Sequence, residues 1–269
     1  MSNSTGANPA QEPATVLITG ATSGIGKAIA LGFAKKNLAI AINGFGKDEE
    51  IAAVLTELKA SGAKEAIHVP SDMSQTADIE ELITTTQKKL GSLDVLINNA
   101  GIQYTAAVEE FPAEKWDQII AINLSSAFHT TRLALPMMKE RNFGRIINIA
   151  SVHGLVASVQ KAAYVAAKHG IIGLTKVVAL ECAQQNITAN SVCPGWVLTP
   201  LVVAQVEAIA AKDGINYDQA AEKLLAEKQP SLRFVALEEL AALCLFLASS
   251  NAASITGASM PIDGGWTAR

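Results

Sequence analysis

The sequence predicts an α/β protein built on a single Rossmann-type, doubly wound parallel sheet of about seven strands. Helices should cover both faces, and a helical lid should lie over the site. Three observations predict this. Short β-branched runs alternate with longer segments of helical period from residue 14 onward, the pattern of repeated strand–helix–strand units. The strand runs are apolar at nearly every position, as strands covered on both faces require. The first of them runs directly into a glycine-rich turn that opens a helix.

The first strand, "ATVLIT" (14–19), leads into Gly20-x-x-x-Gly24-x-Gly26 and a helix over 24–36. Glycines permit a tight turn and close approach by a phosphate, and the helix N-terminus offers unpaired N–H groups and a positive dipole end. The ATP-type loop is excluded, because Ala21 stands where its first glycine belongs and Ala28 follows Lys27. The G-x-G-x-x-G form fails as well, with Ile29 at its third glycine. A purely structural turn would also use glycines, but its place as the first βα turn favours a dinucleotide.

The second strand, "LAIAIN" (38–43), ends in "INGFGKDEE". Asn43, Gly44 and Phe45 stand where a ribose-binding carboxylate is expected. No carboxylate repels a 2′-phosphate and no arginine attracts one. Phe45 can pack beside an adenine and Lys47 can serve a phosphate, so local residues leave NAD and NADP both open.

A helix over 48–60 and a strand over 64–69 follow, then a helix over 75–90 and a strand over 93–98. Beyond these, one long helix spans 112–140, and the strand 144–150 runs up to Ser151. A helix over 160–183 precedes a strand over 186–192. The stretch 200–232 breaks the rhythm and reads as two short helices inserted where a strand is due, a candidate lid. A helix over 237–249 and a strand over 258–262 complete the chain.

The bulk numbers suit one large domain over 14–269. The chain has 269 residues, 49% of them hydrophobic. A formal charge of −4 gives no electrostatic ground for nucleic acid or an anionic membrane as partner. No apolar run reaches the ~18 residues of a membrane span. The start, "MSNSTGANPAQEP", lacks a basic opening and an apolar core, so residues 1–13 read as a disordered lead-in rather than a secretory signal. Cys182, Cys193 and Cys244 are odd in number, far apart and form no C-x-x-C, which suits reduced, buried thiols of a cytoplasmic protein. No cluster with ligand spacing suggests a metal.

The segment "KAAYVAAKHG" (161–170) gathers two cations and a phenol in an apolar setting. In a helix, Lys161, Tyr164 and Lys168 fall within roughly 60° of one another on one face. A free tyrosine has a pKa near 10, so Tyr164 alone is a poor base at neutral pH. A lysine cation about 5 Å away, at an effective dielectric of ~20, favours the phenolate by roughly 3 kcal/mol, or about 2 pKa units. Ser151 ends the fifth strand, where ligands of open α/β sheets bind, and its hydroxyl can hold the oxygen whose proton Tyr164 moves. Tyr164 and Lys168 merely lining a core helix is the structural alternative.

"TGATSGIG", "NNAG" (98–101), Asn123, Ser151, Tyr164-x-x-x-Lys168 and "PG" (194–195) occur in the order of the short-chain dehydrogenase/reductase family, which the chain resembles over nearly all its length after residue 13. The resemblance implies a catalytic set of Asn123, Ser151, Tyr164 and Lys168. Tyr164 would be the general base, Lys168 would also grip the nicotinamide ribose, and Asn123 would anchor a water in the proton relay. It further implies that Gly20, Thr22, Ser23, Ile25, Gly26, Phe45, Asp72, Asn99, Gly101, Pro194, Val197 and Thr199 join Tyr164 and Lys168 around the cofactor.

"NNAGIQ", "SVHGLVASVQKAAYVAAKHG", "CPGWVLTPLV", "LLAEKQPS" and "DGGW" resemble the branch of that family acting on short 3-hydroxy acids. That likeness implies NAD as cofactor and interconversion of D-3-hydroxybutyrate with acetoacetate. It assigns Gln103, His153, Lys161 and Gln205 to the substrate carboxylate, and makes Trp196 and Trp266 apolar walls near the methyl. The residues alone already allow Gln103, His153 and Lys161 to converge on an anion, with charge-assisted bonds worth about 1.5–3 kcal/mol each. One departure is Val159, where a proline is expected.

The helix around 162–180 is apolar nearly all round, with Ile171, Ile172, Leu174, Val177 and Val178 away from its catalytic side. A second subunit should cover the side the sheet does not, and the resemblance implies a homotetramer. Two further readings stay open: a reductase of another small 3-oxo acid or 3-oxoacyl thioester using NAD or NADP, and a non-catalytic nicotinamide-binding sensor.

Overall fold

The computed structural model describes residues 12–268, so the lead-in expected over 1–13 lies, but for its last two residues, outside the described residues. The seven strands are β1 (Thr15–Ile18), β2 (Ala39–Ile42), β3 (Glu65–His68), β4 (Val95–Asn98), β5 (Gly144–Ile149), β6 (Ile187–Pro194) and β7 (Ser259–Ile262). Each expected strand is present to within two residues at either end. They form one sheet in the order β3-β2-β1-β4-β5-β6-β7, and every pairing is parallel. The winding reverses between β1 and β4, which opens a crevice beyond their carboxyl ends.

The strands are apolar on both faces because each face has its own helical layer. Side chains alternate across a strand. Val16, Ile18, Ile40, Ile42, Val95 and Ile97 therefore join one core with Ile29, Phe33, Leu58, Leu240 and Leu247. These come from helices α1 (Gly24–Ala34), α2 (Asp48–Ala60) and, later in the chain, Leu237–Ala248. Leu17, Ala41, Leu96, Ile146, Ile187 and Ala189 point the other way, to Ile79, Leu82, Ala134, Met138 and Val178. That second layer is α3 (Thr76–Leu90) and the two helices that flank β5.

The single helix expected over 112–140 is interrupted. Helix α4 (Ala113–Ile120) passes through a π-helical turn at Ala121–Ser125 into α5 (Ser126–Glu140). The wider turn points Asn123 inward, where its amide accepts from Ile102 N–H at 2.9 Å and donates to the Ile102 carbonyl at 2.9 Å. Turns of this kind often sit at functional sites, and apolar periodicity does not disclose them.

Helix α6 (Ala162–Glu181) also departs from expectation at its start. Gln160 has φ of 63°, a left-handed conformation, and Lys161 at the helix N-cap has φ of −123°. Lys161 therefore precedes the helix instead of sharing a stripe with Tyr164 and Lys168; only those two are one turn apart on α6. By length and composition α6 could cross a bilayer. It packs instead on β6 and on the 3-10 turn Val152–Gly154. A Cβ on Gly154 would lie 2.6 Å from the Lys168 carbonyl oxygen, so only glycine lets that turn sit so close to α6.

Residues 200–232 contain two helices, α7 (Pro200–Asp213) and α8 (Tyr217–Ala226). Pro200 at the first position opens α7, and Gly214 in the left-handed region ends it. Asn216 caps α8 by accepting from Gln219 N–H at 2.9 Å. Val202, Val206, Ala220, Ala221 and Leu224 form a small core of their own, with Trp196 against it. Helix α9 (Leu237–Ala248) and β7 close the fold, and all three cysteines are buried and unbonded.

Candidate active site

Four strand ends meet at one edge of the sheet. β1 delivers Gly20, β4 delivers Asn98 and Asn99, β5 delivers Ser151, and β6 delivers Pro194, Gly195 and Trp196. Thr19 and Asn99 bind the first two together. Thr19 Oγ1 accepts from the N–H groups of Asn99 and Ala100 at 3.0 Å each, and Asn99 Nδ2 donates to the carbonyls of Thr19 and Gly20 at 2.9 and 2.8 Å.

Ser151 is buried, and its Oγ accepts from the His153 backbone N–H at 3.1 Å. The same hydroxyl acts on the Tyr164 phenol, favouring its ionised form. One turn along α6, Lys168 Nζ donates to the Ile149 carbonyl at 2.7 Å and lies 5.5 Å from the centre of the Tyr164 ring. Sequence spacing thus brings Ser151, Tyr164 and Lys168 to one place. It does not give the expected electrostatics. Burial pushes the Tyr164 phenol up from its ordinary value, and the Ser151 hydroxyl offsets only part of that. Burial also brings the Lys168 ammonium down to about 8. Desolvation is the larger of the two effects, and it favours the neutral phenol.

His153 lies beside them. Its ring makes edge-on contacts with Tyr164, at 5.9 Å between centroids, and with Trp266, at 5.5 Å. Both ring nitrogens are already engaged: Nδ1 is 3.3 Å from Ser151 Oγ and Nε2 is 3.0 Å from Ser158 Oγ. A carboxylate reaches His153 only if one of these bonds opens. Burial, then the cations of Lys161 and Lys228, push the imidazole down to about 4.

Lys161, half-buried at the N-cap of α6, places Nζ 5.6 Å from the Trp196 ring centre. Trp196 and Trp266 pack at 5.9 Å between centroids, tilted by 39°. Gln103 is half-buried next to Ile102, and Gln205 lies half-buried on α7. Trp196 Nε1 and Gln205 Oε1 are buried without a protein partner. An unpaired buried polar atom costs roughly 1–3 kcal/mol, which a polar ligand beside α7 and Trp196 would relieve.

Two residues that sequence reasoning missed hold this aromatic wall. Gln229, fully buried, accepts from Trp196 N–H at 2.8 Å through Oε1 and donates to the Arg233 carbonyl. Asp263 accepts from the N–H groups of Gly265 and Thr267 at 3.0 and 2.8 Å and from Thr267 Oγ1 at 2.6 Å, shaping the turn that carries Trp266. The Asp-Gly-Gly sequence is a turn signal that pointed to the second; nothing local distinguishes Gln229 from a solvent-facing glutamine.

The crevice at β1 suits a dinucleotide. Ser23, at the N-cap of α1, makes no side-chain cap, and no acidic residue occupies the first turn, so N–H donors are left for an anion. Gly24 is in the left-handed region, and a Cβ there would meet nothing within 4 Å. Gly26 is the reverse case: a Cβ would lie 2.8 Å from Ala21 Cα, so the helix can start this close to the turn only with glycine. Ile25 is half-buried behind them, and Gly101 faces the Asn123 amide across the neighbouring turn.

At the far side, Thr22 Oγ1 donates to the Phe45 carbonyl at 2.7 Å, and the Phe45 ring is 75% exposed, free to cover a base. Asn43 is not available to a ribose, because its buried amide donates to the carbonyls of Val69 and Ser71. Asp72 accepts from Ser74 N–H and Oγ at 2.8 Å each. Val197 is buried and pairs with Val235, and Thr199 is the N-cap of α7.

The neutral, buried His153 ties stability to pH. Above about pH 6.5 neither folded nor unfolded chain protonates it. Between there and about 4 only the unfolded chain does, so stability is lost as pH falls through that window, by on the order of 3 kcal/mol. Denaturant midpoints from pH 7 to 4 should therefore fall less steeply in His153→Gln than in the wild type; equal slopes would contradict the neutral ring.

Residues 14–210 match the family model described as short chain dehydrogenase. The D-beta-hydroxybutyrate dehydrogenase of Cupriavidus necator is 56% identical over 255 residues, 95% of this chain and 98% of that protein. The protein of the same name from Rhizobium meliloti is 50% identical over 255 residues, 95% and 99% of the two chains. Among solved structures, a variant of actinorhodin polyketide ketoreductase with NADPH superposes with a TM-score of 0.87 at 36% identity, over 94% of this chain and 96% of the other. The glycine turn, the strand-end serine and the tyrosine–lysine turn of α6 thus stand in a chain that belongs to the short-chain dehydrogenase family.

Proposed function

We propose that the chain catalyses the reversible NAD-dependent oxidation of D-3-hydroxybutyrate to acetoacetate. The observation that carries this reading is the arrangement around Ser151 and Tyr164. A half-buried cation, Lys161, stands by a paired tryptophan wall next to the two hydroxyls. That is a counter-ion for a carboxylate and a small apolar box for a methyl, set around the groups that handle a proton. The near full-length likeness to two proteins named for this activity supports it.

In this reading Gln103, Gln205 and Lys161 hold the carboxylate, with His153 beside them, and Trp196 and Trp266 enclose the methyl. The 3-hydroxyl lies between Ser151 and Tyr164. Bound nicotinamide supplies the acceptor for the hydride that leaves C3. Tyr164 takes the hydroxyl proton in the oxidative direction and returns it in the reductive one. Its neutral, half-buried phenol suits the reductive half; the Lys168 ammonium, 5.5 Å from the ring, lowers the cost of the phenolate for the oxidative half. The amide of Asn123 is committed to Ile102, so its part in the relay is to hold the turn bearing Asn99, Gly101 and Gln103.

A second reading, reduction of another small 3-oxo acid or thioester with NADP, has two observations in its favour. The end of β2 presents no carboxylate against a 2′-phosphate, and the actinorhodin ketoreductase structure carries NADPH. Absorbance of the reduced nicotinamide, followed with each 3-hydroxybutyrate enantiomer and with NAD or NADP, separates the two readings.

We also infer a cytoplasmic homotetramer. Free, buried cysteines suit a reducing compartment. Phe128 on α5 and Val177 and Leu180 on α6 are 46%, 51% and 79% exposed, an apolar strip of the kind that a second copy covers.

Three outcomes test these inferences. Tyr164→Phe should abolish turnover, by at least about a hundredfold, with NAD affinity nearly unchanged; comparable turnover would mean another base. Lys161→Ala should raise KM for the acid at least about tenfold with a smaller change in kcat, and an unchanged KM would discard the carboxylate pocket. Sedimentation at micromolar concentration should give a four-chain particle; a monomer would contradict the assembly.

A further inference from the structure

Ser158 lies in the short loop between the 3-10 turn Val152–Gly154 and α6. It is half-buried, whereas the next residue, Val159, is 87% exposed. The loop is held from the other side, because the Gln160 carbonyl accepts from Ala106 N–H at 3.1 Å. Ser158 Oγ thereby sits 3.0 Å from His153 Nε2, and His153 Nδ1 sits 3.3 Å from Ser151 Oγ. One ring bridges two serines, and the second of them is the residue that faces the reacting oxygen.

A neutral imidazole carries one N–H and one lone pair, so the two contacts are not independent. If Nε2 holds the proton, it donates to Ser158, and Nδ1 takes the only hydrogen of Ser151. Ser151 then has none to offer a substrate oxygen. If Nδ1 holds the proton, Ser158 donates to Nε2, and Nδ1–H donates to Ser151 Oγ beside the His153 backbone N–H already bonded there. Both lone pairs of Ser151 are filled, and its own hydrogen is left for Tyr164 and the reacting oxygen. Only this second arrangement steadies the negative charge that grows on that oxygen.

We propose that Ser158 is a positioning residue: its hydroxyl, donating to Nε2 of His153, keeps the ring proton on Nδ1 and so turns Ser151 into a hydrogen-bond donor. The proposal rests on the reading of Ser151 as the partner of the substrate oxygen. It also gives His153 a role that uses both nitrogens as they stand, without contact to the carboxylate.

The test compares Ser158→Ala with Ser158→Thr, which retains a hydroxyl. Ser158→Ala should lower kcat for D-3-hydroxybutyrate by up to about tenfold, the worth of an ordinary hydrogen bond, with KM for acid and NAD within about twofold. Ser158→Thr should recover most of the loss. With only four histidines in the chain, the ring nitrogens of His153 can be followed by nitrogen NMR, assigned by their loss in His153→Gln. The wild type should show the Nδ1–H tautomer, and Ser158→Ala should move it towards Nε2–H. An Nε2–H ring in the wild type, or a rise in KM for the acid alone in Ser158→Ala, would overturn the proposal, the latter by placing Ser158 in the carboxylate pocket. If the wild type fails to oxidise 3-hydroxybutyrate at all, the functional reading fails instead, and the tautomer is still decided.

Discussion

The bond from Lys168 Nζ to the Ile149 carbonyl is the constraint on which the site depends. It ties the middle of α6 to the last residue of β5 in a place where a lysine would otherwise be too costly to bury. Ser151 follows Ile149 by two residues, and Tyr164 precedes Lys168 by one helical turn, so this single bond brings the two hydroxyls together. The absent side chain of Gly154 lets the intervening turn lie flat on the helix. An ammonium placed this way spends one of its three donors on the Ile149 carbonyl and lies 5.5 Å from the Tyr164 ring centre. The electrostatic cost is visible in the depressed pKa of Lys168 itself.

A second layer of polar residues serves the same end without touching the chemistry. Thr19 and Asn99 bind the glycine turn to the end of β4, and Asn123 holds the loop beyond it. Gln229 and Asp263 do the same for the two tryptophans. Each of these groups is buried or half-buried and bonded to backbone, so the open edge of the sheet is a scaffold of satisfied peptide groups with a few side chains left over. Those left over, Trp196 Nε1 and Gln205 Oε1 among them, are buried polar atoms without a protein partner.

The fold was legible because it is written in local periodicity. Apolar runs such as "ATVLIT" and "LDVLIN" can be stable only with a helix on each face, and the chain supplies those helices in turn. Ser151, Tyr164 and Lys168 were legible because position at a strand end and one-turn spacing are sequence properties. What could not be read were effects of burial and of single backbone angles. The left-handed Gln160 takes Lys161 off its expected helical face, and the π-helical turn at Asn123 splits an unbroken apolar pattern. The phenol of Tyr164 is more basic than a pairwise charge argument gives, because desolvation depends on every element packed around it. Gln229 illustrates the same limit: its burial depends on residues far away in sequence.

Helix α6 has a dual character with a cost for adaptation. Its one flank carries Tyr164 and Lys168, and its other flank presents Val177 and Leu180 outward. A rigid rod of twenty residues transmits any tilt from end to end. A substitution on the outward flank that tilts the helix is thereby felt at the alignment of phenol and serine, far from where it was made.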